Sequence, residues 1–355
     1  MPQKKKKDPT IADVARESGV GSMTVSRVLN GGKYVSADAE KRVLSAIQKL
    51  GYHPNEAARI LRGQAPRTIG LIVPNLADPF YSACAHAAQQ MALKHGYATL
   101  LLTCEADVDA EDRALALLRS RNAATGVLIF PSRLDSAQQL EEMQAKGVPV
   151  VTLDRTIPGL HAGEVMVENA EGAQKAVDHL ILHGHRNIVC IGYDSQFNSI
   201  AQRIEGYRKA IADAGLKPQI LLAHDEAEVP RMVLKRLRSA EAPSALFSLN
   251  NVTTAHLLHL LQRENIRVPE QIALVGFDDF DLAALLAVPL TAVRQPAAEI
   301  GRSGTRLLLN LIHARSAGTN GNGLNGAGSR IVLPTELVIR RSCGCQAPPK
   351  ITARQ

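Results

Sequence analysis

The chain has 355 residues, of which 45% are hydrophobic and 21% charged, and its formal net charge is +7. This length exceeds the needs of one ordinary core and predicts two or three domains. No run approaches the roughly 18 apolar residues of a membrane span, and the N-terminus lacks a signal peptide's apolar stretch, which argues against membrane and secreted proteins. The five cysteines are odd in number and mostly scattered, so we expect a protein of the reducing cytoplasm without a disulfide framework.

The positive charge is concentrated at the start of the chain. Residues 1–67 contain 13 Lys and Arg against 6 Asp and Glu, whereas the rest of the chain contains 28 of each. Such asymmetry predicts a small module that contacts a polyanion, joined to a neutral body with another task. Residues 1–9 include four consecutive lysines, and we expect them to be a disordered basic arm, either a solvated tail or a further contact with the polyanion.

Three short helices are predicted between residues 10 and 54. Thr10 and Asp13 have the spacing of a capping box at the start of the first helix. The second helix starts near Ser22, the third follows a cap at Ser36, and glycines end the first and third. The apolar positions expected to close their shared core are Ile11, Val14, Ala15, Val25, Val28, Leu29, Val43, Ile47 and Leu50. This arrangement is typical of a helix-turn-helix module.

The hydrophobic pattern of the sequence changes after residue 66. Seven apolar runs alternate with amphipathic helical stretches: TIGLIVP, ATLLLTC, TGVLIFP, VPVVTLD, RNIVCIG, SALFSLN and IALVGFD. Such alternation predicts parallel sheets covered by helices on both faces, and the length suggests two lobes rather than one sheet. Residues 316–329 are rich in Gly and Asn and should form a surface loop. We expect residues 343–355 to be a flexible tail.

These motifs resemble the LacI/GalR family of bacterial transcription regulators. The segments TIADVARESGVGSMTVSRVLN and VSADAEKRVLSAIQKLGYHPNEAARILRG are similar to the family's N-terminal module. The body carries the family's landmarks in order: RTIGLIVPNLADPFY, VPVVTLDR, GHRNIVCIG, RIEGYRKA, SLNN, VGFDD and PLTAVRQP. The resemblance covers roughly residues 10–340.

The resemblance implies a small all-α helix-turn-helix domain (10–54), a hinge helix and linker (55–66) and a two-lobed α/β sensor with parallel sheets, similar to periplasmic binding proteins (67–342). It also implies a bacterial homodimer that binds palindromic operator DNA and changes its DNA affinity when a small molecule, often a sugar, enters the cleft between lobes. We expect a dimer rather than a tetramer because the tail has two prolines and no leucine heptad.

The second helix is the predicted recognition helix. Since Val25 turns inward, Ser22, Met23 and Arg27 face outward and can reach base edges in the major groove. Thr24 and Ser26 are short donors suited to phosphates. Within the resemblance, the residues expected to contact the DNA backbone are Thr10, Thr24, Ser26, Asn30 and Ser36. The alternative for Ser22, Met23 and Arg27 is a surface serine, a surface methionine and a solvated arginine.

A hinge helix is implied for the segment that begins at Asn55. The family places two such helices together in the minor groove and wedges it open with a leucine, which Leu61 matches. Ala58 is small enough for close approach, and Arg59 can follow the phosphates or the groove. A helix this short should form only on DNA. The alternative is a linker turn with Leu61 in a domain interface.

An effector cleft is predicted at the carboxyl ends of the strands. Phe80 and Tyr81 offer flat apolar surface for the C–H face of a sugar. Within the resemblance, the polar contact residues are Asp154, Arg203, Asn250, Asp278 and Gln295. Each of them could instead be a helix cap or a hydrogen bond between lobes. Arg155 and Arg203 would suit a sugar acid or sugar phosphate, and a neutral hexose derivative is equally compatible. Asn251 stands where the family commonly has an acid.

Two rival functions are disfavoured. A Rossmann-like enzyme should carry a phosphate-binding loop, and none of the usual nucleotide or catalytic motifs is present, so we expect no catalytic residues and no cofactor. A sugar-binding protein without a DNA role is disfavoured by the basic N-terminal module. The pairs His183-Gly-His185 and Cys343-Gly-Cys345 each lack a matching second pair, so we expect no metal site and interpret the cysteines as tail thiols.

Overall fold

The structure, a computed structural model, describes residues 9–29, 35–52, 67–105, 107–120, 123–132, 134, 137–193, 197–316 and 329–345. The chain divides into two compact units, Met1–Pro66 and Arg67–Gln355. The expected basic arm up to residue 8 and the expected hinge segment 55–66 lie outside the described residues.

The described residues of the first unit form three helices: α1 (Ile11–Ser18), α2 (Ser22–Leu29) and α3 (Ala37–Leu50). Thr10 and Asp13 form the predicted capping box, and the Ser36 hydroxyl accepts a hydrogen bond from a backbone N–H at the start of α3. Gly19 and Gly51 end α1 and α3 in the left-handed conformation, which glycine adopts without a steric penalty. The sequence therefore sets both ends of these two helices through local chemistry.

The core of the first unit is formed by all three helices. Val14, Val25 and Val43 are fully buried, as predicted. The predicted Ile47 and Leu50 are only half-buried. Two residues that the helical pattern did not single out, Ala46 and Tyr52, complete the core.

The second unit contains twelve described strands in two six-stranded sheets. They are β1 (Thr68–Val73), β2 (Ala98–Thr103), β3 (Gly126–Ile129), β4 (Val150–Leu153), β5 (Gly163–Val167), β6 (Ile188–Tyr193), β7 (Ile220–Ala223), β8 (Ala245–Ser248), β9 (Ala273–Phe277), β10 (Thr291–Arg294), β11 (Arg330–Leu333) and β12 (Glu336–Val338). The sheet orders are β11-β5-β4-β3-β1-β2 and β12-β10-β9-β8-β6-β7. The two lobes therefore repeat one strand order, with β1 equivalent to β6 and β4 to β9.

Helices cover both faces of each sheet. They are α4 (Pro79–Lys94), α5 (Val108–Ser120), α6 (Ala137–Ala145), α7 (Asn169–Leu182), α8 (Asn198–Asp213), α9 (Val229–Leu237), α10 (Asn251–Arg263) and α11 (Ala297–Ser316). In the first lobe α4 and α11 pack on one face and α5 and α6 on the other. In the second lobe α7 and α8 share one face, and α9 and α10 the other. The predicted apolar strands β1, β3, β4, β6, β8 and β9 are buried between these layers, as expected, whereas β2 lies at a sheet edge and is partly exposed.

One helix pair in each lobe approaches closely at a glycine. A Cβ on Gly301 of α11 would lie 2.1 Å from the carbonyl oxygen of Cys84 in α4. A Cβ on Gly206 of α8 would lie 2.0 Å from the carbonyl oxygen of Ala170 in α7. Because both distances are far inside van der Waals contact, each helix crossing requires glycine.

The predicted strands were incomplete. The seven apolar runs form β1, β2, β3, β4, β6, β8 and β9, whereas β5, β7, β10, β11 and β12 were missed. The missed strands have three to five residues, and β7, β11 and β12 lie at sheet edges where residues are partly exposed. The described sheets are parallel, as expected, except that β12 pairs antiparallel with β10.

The expected flexible tail from residue 343 begins too early. Cys343 is fully buried in the second lobe, where its thiol accepts a hydrogen bond from the Thr291 hydroxyl over 3.1 Å. The preceding Ser342 donates to the carbonyl of Leu274 and accepts from the amide of Thr291. The chain up to Cys345 is therefore part of the folded second unit.

Candidate functional site

The first candidate surface is the outer face of α2. Ser22, Met23 and Arg27 are exposed, and the Met23 side chain retains 71% of its accessible surface. Arg27 lies one turn after Met23, and its Nη2 is 3.9 Å from the Met23 sulfur. The buried Val25 fixes this orientation. The three residues predicted to read bases therefore form one solvent-facing strip of the helix.

The predicted backbone-contacting residues flank this strip. Thr24 and Ser26 are half-buried beside it, whereas Thr10 and Ser36 are exposed at the N-termini of α1 and α3. The hydroxyls of Thr10 and Ser36 accept backbone hydrogen bonds as helix caps. The N-termini of helices attract anions, so these positions suit phosphates. Asn30 and the four hinge residues Asn55, Ala58, Arg59 and Leu61 lie outside the described residues.

The second candidate site is a cleft of about 540 Å³ between the two sheets. A cavity of this volume is of the size that binds small molecules. Its lining includes all seven residues predicted to contact an effector: Phe80, Tyr81, Asp154, Arg203, Asn250, Asp278 and Gln295. The first lobe supplies the two aromatic residues and Asp154, and the second lobe supplies the other four.

Asp278 organises the second-lobe side of the cleft. Its Oδ2 lies 3.3 Å from Arg203 Nη1, and its Oδ1 accepts a 2.6 Å hydrogen bond from Gln295. Arg203 also donates to the Leu249 carbonyl and the Asn169 side chain, both at 2.8 Å. Its guanidinium therefore already has several partners and is almost fully buried.

Asp154 and Asp278 occupy equivalent places in the two lobes. Asp154 directly follows β4, and Asp278 directly follows β9, the equivalent strand of the second sheet. Both have left-handed backbone conformations, with φ of 63° and 73°. Such conformations are costly for residues other than glycine and concentrate at functional sites. The two turns aim one carboxylate from each lobe into the same cleft.

The negative charge of the buried Asp154 carboxylate is only partly balanced by the neighbouring arginines. Burial raises the pKa of this group, an effect that the neighbouring Arg155 and Arg203 only partly oppose. Its Oδ2 is 3.6 Å from Arg155 Nε, and its Oδ1 has no hydrogen-bond partner among the described residues. The Oε1 of Gln295 is likewise buried and unpartnered within that part of the chain. Both atoms are able to accept hydrogen bonds from a ligand's hydroxyl groups.

Arg155 lies at the junction of the two lobes. Its Nη2 donates a 2.7 Å hydrogen bond to the Tyr81 hydroxyl, and its guanidinium stacks 3.9 Å from the ring centroid of Phe197 in the other lobe. The rings of Phe80, Tyr81 and Phe130 contact one another edge to face, with centroids 5.1 to 6.1 Å apart. Phe80 and Tyr81 line the cleft, and the fully buried Phe130 packs behind them.

Asn250 serves in part as a helix cap. Its Oδ1 accepts a 2.8 Å hydrogen bond from the amide of Thr253 at the start of α10. This is the structural alternative that the sequence left open for this residue, and it leaves the amide nitrogen of Asn250 as the group able to serve a ligand.

Several cleft residues were missed by sequence reasoning. Asp78, Tyr193 and Phe197 line the cavity, as does Asn251, which was noted only as a departure from the family pattern. Asp78 caps α4, so a carboxylate directly before Pro79 was a usable signal. Phe197 precedes α8 in a loop, where no periodicity marks it. Separately, none of the described helices has the length and apolar character required to cross a bilayer.

Comparisons with known proteins extend over nearly the whole chain. Residues 10–55 match the family model for bacterial regulatory proteins of the lacI family, and residues 177–343 match a periplasmic binding protein-like domain. The chain is 30% identical to the HTH-type transcriptional regulator DegA of Bacillus subtilis (strain 168), over 94% of this chain and 97% of DegA. It is 31% identical to the HTH-type transcriptional repressor PurR of Aliivibrio fischeri (strain MJ11), over 85% of this chain and 91% of PurR.

The fold is also similar to that of solved structures. The transcriptional regulator CelR in complex with cellobiose is 28% identical, has a TM-score of 0.67, and aligns over 94% of this chain and 99% of its own. The similarity spans both units, so it covers the candidate DNA surface and the cleft alike.

Proposed function

Because the chain belongs to the LacI family of bacterial regulatory proteins, we propose that it is a repressor whose affinity for a palindromic operator changes when a small molecule binds the cleft. Family membership makes it a transcription regulator with a helix-turn-helix domain, rather than an enzyme. The palindrome follows from a homodimer, since two-fold symmetry of the protein requires two related half-sites.

Operator recognition is assigned to the exposed strip of α2. Arg27 can donate two hydrogen bonds to a guanine, whereas Met23 has no strong donor and would contact a thymine methyl group or read groove shape. Ser22 is a short donor at the start of the helix. Thr10, Thr24, Ser26, Asn30 and Ser36 would contact phosphates and set the register.

The hinge segment is proposed to transmit the signal. Asn55, Ala58, Arg59 and Leu61 would enter the minor groove as a helix that forms on DNA, with Leu61 as the wedge. A change in the angle between lobes would alter the spacing of the two hinge segments in the dimer and so shift the order–disorder equilibrium.

The effector is proposed to be a neutral sugar. The observation that carries this choice is the charge of the cleft: five carboxylates line it, against the two guanidinium groups of Arg155 and Arg203. Arg203 already has Asp278, Asn169 and Leu249 as partners, so it offers little to an anion. Unpartnered acceptors on Asp154 and Gln295 suit hydroxyl donors instead. The cellobiose bound by CelR supports the same class.

A purine is the second candidate, because PurR proteins are among the relatives. A thermal-shift screen of the full chain against neutral sugars, sugar acids, sugar phosphates and purine bases separates these classes. A ligand at about 100 times its Kd should stabilise the protein by about 2.7 kcal/mol. A neutral sugar that raises the unfolding temperature and changes operator affinity supports the proposal. Stabilisation by purines or sugar phosphates alone would overturn the assigned effector class.

A further inference from the structure

A cluster of four metal-ligating side chains lies away from the cleft, at the end of α7. His179 and His183 are one helical turn apart, and their ring centroids are separated by 4.6 Å. Cys343 and Cys345, in the segment after β12, meet them. The ligand atoms of His179, His183 and Cys345 all lie within 4.8 Å of one another. The contacts between the two pairs join residues 162 to 166 positions apart, so only the fold brings them together.

The distances within the cluster approach those of a metal site. The Cys345 sulfur is 2.9 Å from His183 Nε2 and 3.3 Å from His179 Nε2, and the Cys343 sulfur is 3.2 Å from His179 Nε2. In a tetrahedral zinc site with Zn–S of about 2.3 Å and Zn–N of about 2.0 Å, neighbouring ligand atoms are about 3.3 to 3.8 Å apart. Small side-chain movements of His179, His183 and Cys345 would therefore admit the ion, and Cys343 reaches the group through its contact with His179.

We propose that His179, His183, Cys343 and Cys345 form a Zn²⁺ site with two nitrogen and two sulfur ligands. The sequence predicted no metal because it paired His183 with His185. His185 instead bonds to the Ser244 hydroxyl through Nδ1 at 3.0 Å, and the partner of His183 is His179. Four protein ligands complete a tetrahedral sphere, which is the structural rather than the catalytic type of zinc site.

The chemistry of the donors agrees with this assignment. Both cysteine sulfurs lie within hydrogen-bonding distance of an imidazole nitrogen, so two thiols and two imidazoles face one another. A thiolate is the form that binds zinc, and binding releases the thiol protons. Exposed His183 gives the ion a route from solvent to the more buried donors.

The site would fasten the end of the sensor unit to α7. Ser342 is bonded to β9 and β10, and zinc would add a cross-link from the next residues to the helix. The opposite end of α7 carries Asn169, the partner of Arg203 in the cleft. A metal that stabilises α7 therefore acts on an element that reaches the ligand site, without taking part in ligand contact itself.

The test is the metal content of the purified full chain, prepared with a reductant that does not bind metal and without chelators. Mass spectrometry of metals should find about one zinc per chain. Replacement by Co²⁺ should give thiolate-to-cobalt charge transfer and the strong visible bands of a tetrahedral ion. Removal of zinc by a chelator should lower the unfolding temperature, and zinc should restore it.

Three variants complete the test. Cys345→Ser and His183→Gln should lose the bound zinc, and their cobalt charge-transfer band should weaken or shift. His185→Gln, a matched control two residues after His183, should retain both the zinc and the band. If Cys345→Ser does not fold, the cobalt spectrum of the unsubstituted chain decides. Absence of bound metal after reconstitution, a disulfide between Cys343 and Cys345 in the reduced preparation, or equal loss in His185→Gln would each overturn the proposal.

Discussion

Asn251 of the second lobe donates a 2.9 Å hydrogen bond to the Asp78 carboxylate of the first lobe, across the mouth of the cleft. Both residues cap or begin helices, Asp78 at the N-terminus of α4 and Asn251 as the first residue of α10. The family commonly has an acid where Asn251 stands, and an acid there would face Asp78. In this chain the amide makes the contact attractive, so it favours the closed arrangement of the lobes.

Asn251→Asp should therefore weaken effector binding by opening the cleft. Two carboxylates would face each other, and burial already raises the pKa of Asp78. Asn251→Ser, which removes the hydrogen bond without adding charge, should cost about 1 kcal/mol, or roughly fivefold in affinity. Calorimetric titration with the sugar found in the thermal-shift screen measures the effector affinity of each variant. Equal affinities for the two variants would contradict the repulsion argument.

Asp278→Ala should destabilise the sensor unit as well as remove a ligand contact. The Arg203 and Asp278 side chains are 4% and 10% exposed, and loss of one partner in a buried pair costs about 3–5 kcal/mol. Arg203 keeps its hydrogen bonds to Asn169 and Leu249 in this variant, so we expect a loss at the lower end of that range. Chemical denaturation measures the change in unfolding free energy. Asp213→Ala removes the partner of Lys209 at the surface, with both side chains more than half exposed, and should cost less than about 1 kcal/mol. Similar losses in both variants would contradict this account of the cleft.

Asp154→Asn should stabilise the ligand-free protein near neutral pH. Burial raises the pKa of Asp154 above its ordinary 3.8, so the folded state binds this proton more readily than the unfolded state. The contribution of Asp154 to the free energy of unfolding therefore falls as pH rises from 3.8 through the pKa of the folded state. Above that pKa the buried, ionised carboxylate destabilises the folded protein. The gain in unfolding temperature of Asp154→Asn should be largest above that window and vanish below pH 3.8. A variant less stable than the parent chain at neutral pH would contradict the prediction.

Arg27→Ala should reduce discrimination between operator and random DNA. Loss of a bidentate base contact costs about 1–3 kcal/mol at the base pair concerned, whereas Thr24→Ala should weaken all sequences alike. Fluorescence anisotropy with the operator and with single-base variants measures the two ratios. An unchanged ratio for Arg27→Ala would remove this residue from the base-reading set.

The sequence was informative where local chemistry decides the structure. The capping box at Thr10, the cap at Ser36 and the apolar runs of the central strands all act within a few residues, so their pattern is visible in one dimension. The cleft itself was predicted because ligands bind at the carboxyl ends of the strands in open α/β sheets. Its polar residues, Asp154 and Asp278 among them, follow apolar strands and came from the resemblance to the family.

The missed features depend on distant parts of the chain. The edge strands β11 and β12 are defined by their pairing rather than by hydrophobicity. The contact of Asn251 with Asp78 joins residues 173 positions apart, and that of Cys343 with His179 joins residues 164 apart. The equivalence of the two lobes was also hidden, because their strand order repeats without an obvious repeat in the amino-acid sequence.

Operator titration in the presence and absence of the sugar tests the central claim, that cleft occupancy controls DNA affinity. The saturating sugar should change the operator affinity of the full chain by about 5- to 150-fold, and the operator must change the sugar affinity by the same factor. Asp154→Asn, which should remain folded, is expected to bind operator normally and to lose this response. An operator affinity that stays the same at saturating sugar, in a chain that binds both, would contradict the account.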